Sequence, residues 1–271
     1  MSLRLDDSVS LASQRALGQS SAALSKTIDR VSSGLRINRA ADDAAGLAIA
    51  TKLQTLISST STASRATVDA VNLTQTADGS LSQVNSLLQR NRELAVQAAN
   101  DTLTGSDRAS IQSEMNQNTE EVDRIASSSS FNGHALLDGS FQAQSIQVGA
   151  NSGDTMQLSL KSTSSAALAV SGLDVSSAAS AQAAIGKLDT AIDAVLTQRA
   201  SVGAAQNRLQ GVVGQLQLSN ANLAAAKSRI VDTDFASEVS NLTRNQILVQ
   251  AGTAMLSQAN SSPDRALQLL R

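Results

Sequence analysis

The chain has 271 residues, a formal net charge of −2 and no cysteine, which excludes disulfide frameworks, thiol nucleophiles and thiolate metal sites. So weak a charge points to neither nucleic acid nor an anionic membrane surface as partner. Aromatic residues are 1% of the chain, Phe131, Phe141 and Phe235, and since large aromatics dominate compact cores, thin seams of Leu, Val, Ile and Ala between long helices are expected instead.

The start, "MSLRLDDSVS", places acids where a signal peptide carries basic charge. Nowhere do about 18 apolar residues run together, the length a membrane span needs, so no membrane insertion is expected, and any export is expected to need no cleaved signal. Pro263 is the only proline, which leaves long stretches free of a strong helix breaker. Leu17, Leu24, Ile28, Val31 and Leu35 fall at intervals of 7, 4, 3 and 4, which predicts a helical stripe. Next comes "VSSGLRINRAADDAAGLAIA", with Asp42 and Asp43 side by side. Adjacent helical residues point about 100° apart, so the two carboxylates do not converge on one substrate atom. They fit first-turn acids favoured by the helix dipole.

Ala77, Leu81, Val84, Leu88 and Ala95 form a second stripe. It runs into "LLQRNRELAVQAAN", where Arg90, Glu93, Leu94 and Gln97 share one helical face by i, i+3, i+4, i+7 spacing. Beyond it the text becomes rich in Ser and Gly, with turn signals at Asn132-Gly133, Asp138-Gly139 and Ser152-Gly153. Alternation at Gln144 to Val148 and Met156 to Leu160 predicts a small β-hairpin. His134, the sole histidine, reads as a solvated turn residue. Residues 162–184 form a low-complexity Ser/Ala stretch, expected to be a connector or exposed loop.

The clearest signal follows. Leu188, Val195, Val202, Leu209, Leu216, Leu223 and Ile230 are spaced at seven, a continuous coiled-coil-like seam. Its companion line is expected at Ile185, Ile192, Arg199, Gln206, Val213, Asn220 and Lys227, with polar interruptions. Asp232 and Asp234 suit a cap or turn before a tail helix. From Val239 to Pro263 the only charged residue is Arg244, while Leu242, Ile247, Leu248, Met255 and Leu256 recur at helical spacing. A helix so poor in charge needs other surfaces around it. The glycines match neither phosphate-binding spacing, and basic residues lack aromatic neighbours on which bases could stack. No catalytic residue, metal site or cofactor is expected.

Several motifs occur in order: "SSGLRIN", "DDAAGLAIA", "LQRNRELAVQAAN", "FNGHALLDG", "QVGANSGDT", "QAN" and the closing "LLR". Together they resemble bacterial flagellin over all but residues 162–184. The resemblance implies a mainly α fold: long helices in a coiled-coil-like bundle with a small β-hairpin region, and helical terminal segments forming the inner tube on assembly. It implies an N-terminal segment of an inner domain, D0, at residues 1–43. A helical domain, D1, would occupy 44–231 with the hairpin near 131–162, and a C-terminal D0 segment 232–271. The outer domains of longer flagellins have no counterpart here.

The implied function is that of a structural subunit, not an enzyme, which polymerises into the flagellar filament after unfolded export through the flagellar secretion channel. Self-assembly is then expected of Leu17, Leu24, Ile28, Val31 and Leu35 with Leu242, Leu248, Met255 and Leu256. The D1 seam is expected at Leu188, Val195, Val202, Leu209, Leu216 and Leu223. Implied partners are further copies of the chain, a flagellar C-terminal chaperone, the filament cap and hook-associated proteins. The Toll-like innate receptor that senses flagellin is a further one, reading Gln89, Arg90, Glu93, Leu94 and Gln97 with Glu114. Ala41 and Ala135 stand where the family commonly has Lys, so the local salt bridges such lysines would make are not expected from these positions. A hook–filament junction protein, which shares the terminal segments, is the nearest alternative, and a chemoreceptor-type helical hairpin is the alternative that composition alone offers.

Overall fold

A computed structural model describes residues 3–269, with side chains described over 10–261. The side chains of the closing "LLR" and of "LRLDDSV" lie outside the described residues. Five helices carry most of the chain: α1 (Leu3–Ser33), α2 (Ala44–Ala98), α3 (Gly105–Ser128), α4 (Ala178–Val231) and α5 (Phe235–Leu269). Two antiparallel hairpins lie between α3 and α4: β1 (Ser130–Phe131) with β2 (His134–Ala135), and β3 (Gln144–Gln147) with β4 (Thr155–Leu158). The mainly α class with a small hairpin region is as the sequence predicts. The chain forms two compact units, one of residues 58–220 and one of the described residues before and after them. The unit limits fall inside α2 and α4, whereas the expected limits at 43/44 and 231/232 coincide with the breaks between helices.

Within the 58–220 unit, heptad spacing decides what is buried. On α2 the buried line runs Thr60, Ala63, Thr67, Ala70, Thr74, Ala77, Leu81, Val84, Leu88, Asn91, Ala95 and Ala98, alternating steps of three and four. Threonine serves at such positions because its hydroxyl closes on its own helix: Thr67 Oγ1 donates to the Ala63 carbonyl at 2.8 Å and Thr74 Oγ1 to that of Val71 at 2.8 Å. Small residues let the helices approach closely, which suits a core of 26 buried apolar residues with Phe141 as its one buried aromatic. Asn91 is the polar exception. It accepts from Asn118 Nδ2 at 2.9 Å and donates to Thr119 Oγ1 at 3.3 Å, pinning the register of α2 on α3.

On α4 Leu188, Val195, Val202 and Leu209 are fully buried, Leu216 is buried, and Leu223 is half-buried. The companion line lies one residue earlier than expected: Ala184, Ala191 and Gln198 are buried, while Ile185, Ile192, Arg199 and Gln206 sit half-buried beside it. Steps of three and four place 184 and 191 between 181, 188 and 195, and alanine fits where the facing helix is close. Arg199 keeps its charge paired by donating from Nε to Asp78 at 2.9 Å.

Residues 162–177 connect β4 to α4 as expected, but they are not an exposed loop, and residues 178–184 already belong to α4. Thr163, Ser165, Val170, Leu173 and Val175 are buried, and α4 starts directly after, at Ala178. Two side chains of α3 hold this segment against the core. The Asp123 carboxylate accepts from Ser165 N and Oγ, each at 2.7 Å. The Gln112 amide accepts from Val175 N at 2.7 Å and donates to the Leu173 carbonyl at 2.8 Å, as a backbone strand would.

The larger hairpin packs on the seam. Met156 clusters with Ala70, Val71 and Leu209, and Ile146 and Val148 pack against them. Replacing Leu209 by Asp places a carboxylate with no partner in that cluster, so Leu209→Asp is expected to cost about 3 kcal/mol or more. Gln206, in the same helix, has no side-chain bond to lose, and Gln206→Ala is expected to stay within about 0.5 kcal/mol. Urea unfolding of the two variants measures the contrast, and equal losses would place the seam on another face.

Candidate assembly surfaces

In the unit formed by the chain ends, α1 and α5 lie antiparallel in a constant register. Thr27 accepts from Asn245 Nδ2 at 3.1 Å, Arg30 faces Glu238 at 3.8 Å, and Ser10 Oγ donates to Asn260 at 3.3 Å. Between these rungs Gly252 lies so close to Leu17 that an added Cβ would stand 3.2 Å from its Cδ1. On α1 the covered line is Ser13, Leu17, Ser20, Leu24, Thr27 and Val31; on α5 it is Glu238, Leu242, Asn245, Val249, Gly252, Leu256 and Ala259. Both are heptad lines in which every second member is small or polar. This is a narrow seam, held in register by hydrogen bonds as much as by apolar area.

The residues expected to serve self-assembly therefore fall into three groups. Leu17, Leu24, Val31, Leu242 and Leu256 face the partner helix within the pair. Ile28, Leu248 and Met255 point away from it, exposed by 48%, 47% and 64%, joined by Ile247 at 59% and Leu11 at 49%. Leu35 is off the stripe, because α1 ends at Ser33 and Gly34 turns the chain with φ +70. The Gly34 N–H bonds back to the Arg30 carbonyl at 2.8 Å, a left-handed helix end that glycine favours. Leu35 then forms an antiparallel bridge with Asp232.

Around that bridge the two ends of the chain are strapped together. Arg36 N donates to the Val231 carbonyl at 2.6 Å, Thr233 N to the Gly34 carbonyl at 3.0 Å, and the Arg36 guanidinium to the Ile230 carbonyl. The adjacent acids divide two structural tasks. Asp43 precedes α2 and accepts the Gly46 N–H at 2.8 Å, an N-cap. Asp42 pairs with Lys26 of α1 at 2.8 Å and also accepts the N–H groups of Asn38 and Arg39. Lys26 thus supplies the cation that Ala41 does not. Asp234 likewise caps α5 by accepting from Ala236 and Ser237 N–H.

On the surface of the other unit, Arg90 is held between two acids. Its guanidinium reaches Glu114 of α3 at 2.7 Å and Glu93 at 3.3 Å. Gln89, Glu93 and Gln97 are exposed and Glu114 is half-buried, but Leu94 is 2% exposed and belongs to the core. Spacing puts Leu94 on the Arg90 face; its position at the edge of that face turns it inward beside Asn91 and Ala95. Glu114 was legible only through the resemblance, since α3 carries it there from 24 residues away. His134 is exposed on β2. Among the described residues no three His, Cys, Asp or Glu side chains come together as a metal site, and no helix is long and apolar enough to cross a membrane.

Signals that sequence reasoning passed over were the serines and threonine at 13, 20 and 27, whose heptad spacing is as regular as that of the leucines, and the outward Leu11. The Asp42 cluster carries a pH signature. The Lys26 bond, with the Asn38 N–H, lowers the Asp42 pKa to about 2, below an unfolded value of about 3.9. A depressed carboxylate stabilises above its unfolded pKa and loses that contribution as pH falls through the folded one. Protection of the Asn38 and Arg39 amides is therefore expected to fall between about pH 4 and about pH 2. In Asp42→Asn, hydrogen exchange at these amides should be insensitive to pH over that window once intrinsic rates are divided out.

Comparison with known proteins accounts for this arrangement. Residues 6–142 match the model of the bacterial flagellin N-terminal helical region, and residues 185–270 that of the bacterial flagellin C-terminal helical region. The chain is 45% identical over 248 residues to a flagellin of Halalkalibacterium halodurans, covering 91% of each chain. It is 39% identical over 292 residues to a flagellin of Bacillus subtilis, covering 94% of this chain and 95% of that one. The crystal structure of Bacillus cereus flagellin superposes with a TM-score of 0.52 at 36% identity, over 60% of this chain and 94% of that one. With both helical end regions matched, and relatives of nearly its own length matched from end to end, the chain belongs to the bacterial flagellin family.

Proposed function

We infer that this chain is the structural subunit that polymerises into the extracellular bacterial flagellar filament. The observation that carries the reading is the pair α1 and α5, which leaves Leu11 and Ile28 uncovered on α1 and Ile247, Leu248 and Met255 uncovered on the charge-poor α5. Single exposed apolar residues need no explanation, but rows of them on paired helices mark an interaction surface. The occupant is further copies of the same pair. A tube of such pairs buries the outward rows, while the inner rungs Thr27–Asn245 and Arg30–Glu238 set the register within each pair. A junction protein sharing the terminal segments is not favoured, because the matched relatives are flagellins over nearly their whole length.

The reading is tested by Leu248→Asp with Met255→Asp. Both side chains point away from α1, so circular dichroism and unfolding of the 58–220 unit are expected to match the parent. Seeded polymerisation, followed by electron microscopy, is expected to be lost. Filaments of normal length from the double variant would remove the outward rows from the assembly surface.

The finer partners follow from the same surfaces. A chaperone that holds the charge-poor α5 before unfolded export would cover Leu242, Ile247, Leu248 and Met255 in the helix-in-groove manner. The cap and hook-associated proteins would meet the ends of the same tube. For the Toll-like innate receptor, the exposed face of Gln89, Arg90, Glu93 and Gln97 with Glu114 offers a central arginine, a frequent hot spot. Arg90→Ala is expected to cut receptor activation by soluble monomer at least about tenfold while filaments still form. An unchanged dose response would remove this face from the receptor surface.

A further inference from the structure

We propose that Asn132 is a site of self-catalysed deamidation, its side-chain amide attacked by the backbone nitrogen of Gly133 and the resulting ring opened by water. Of the chain's asparagines only Asn132 is followed by glycine. The two residues form the tip of the two-pair hairpin β1–β2, with φ of 50 at Asn132 and 81 at Gly133. Asn132 is exposed, and its side chain takes part in no hydrogen bond. Apart from Gly133 and the two residues beside it, no heavy atom lies within 4 Å of where a Gly133 Cβ would stand. The nucleophile therefore meets no side chain on its own residue and no neighbour across the turn. The ring requires the chain to rotate about Asn132, which glycine permits. A ladder of two residue pairs is also the least that can hold a hairpin, so it opens locally at small cost.

The other asparagines near turns are tied down. Asn100 Oδ1 accepts from Thr102 N, Asn151 Nδ2 donates to Asp154, and Asn38 Nδ2 donates to Ser33 and to the Asp29 carbonyl. Each would have to break such a bond and make its attack past a following side chain. Two Asp-Gly pairs remain: Asp78-Gly79 lies inside α2 with its carboxylate on Arg199, and Asp138-Gly139 is held by its own turn. The Ser140 hydroxyl and N–H bond its carboxylate and keep its pKa below the ordinary range, so it stays ionised and is a poor electrophile.

In the step, the Gly133 nitrogen forms a bond to Asn132 Cγ and its proton passes to the departing amide, which leaves as ammonia. The five-membered succinimide then takes up one water at either carbonyl. Opening at one yields an aspartate in the normal backbone; opening at the other yields isoaspartate, with the chain continuing through the former side chain. No oxidant, metal or other reactant enters beyond water. Both products add a negative charge at the tip, and isoaspartate also inserts a methylene into a loop whose two residues set the β1–β2 register.

The test uses the full chain, incubated at 37 °C in mildly alkaline buffer made with oxygen-18 water and sampled by peptide mass mapping. Asn132 is expected to convert at least about tenfold faster than Asn100 or Asn151, since glycine imposes no Cβ on the attack. Heavy oxygen should enter only that peptide, and an isoaspartate-specific methyl-acceptor assay should mark the same residue. Asn132→Gln, whose ring would have six members, is expected to abolish the signal, with circular dichroism confirming the fold. Conversion at Asn100 or Asn151 as fast as at Asn132, or an intact Asn132 in folded protein, would overturn the proposal.

Discussion

The structure depends on how closely helices can approach when the chain has almost no aromatic side chains to set between them. Heptad lines answer that constraint by alternating Leu and Val with Ala, Thr, Ser and Gly, so that backbones come near and each aliphatic side chain contacts several neighbours. Close approach carries a condition. Register has to be specified, because a seam of small residues offers little resistance to sliding. Asn91 with Asn118 and Thr119 meets the condition in one unit, and Thr27 with Asn245 in the other. Polar pairs of this kind contribute modestly to stability and strongly to alignment.

The same economy explains how the two units differ. The 58–220 unit covers its seams with the two hairpins and with residues 162–177, the last fastened by Gln112 and Asp123, whose side chains stand in for backbone partners. It therefore has a continuous core of its own. In the unit of chain ends α1 and α5 share a single seam, and the apolar residues that point away from it stay uncovered. A pair of helices without a third surface is a part, and its chemistry fits completion by like parts.

Legibility in the sequence followed hydropathy contrast. The α4 seam from Leu188 to Leu216 was plain because each buried leucine or valine is large and stands among polar neighbours. Its companion line was misplaced by one residue, since Ile185 and Ile192 outshine Ala184 and Ala191 in hydropathy although the alanines are the buried ones. Residues 162–177 looked like a connector because serine and alanine dominate them; the partners that bury them, Gln112 and Asp123, lie about 40 to 60 positions away, beyond any local pattern. Leu35 matched the stripe by spacing, yet one glycine in a left-handed conformation ended the helix before it. The charge-poor tail was legible, but which of its residues face α1 follows only from the pairing of α1 with α5.

The strap formed by Leu35 with Asp232 and Arg36 with Val231 has a topological meaning. It closes residues 36–231 into a loop whose entry and exit are stitched at one point. The chain between those stitches can grow at an exposed position, such as Ala166-Ala167, without pulling on either terminal helix. Because the entropy of closing a loop rises only logarithmically with its length, such an insertion changes the closure cost little. The ends of the chain and its middle are thereby free to vary independently: one under the geometry of a tube, the other under whatever the tube presents to its surroundings.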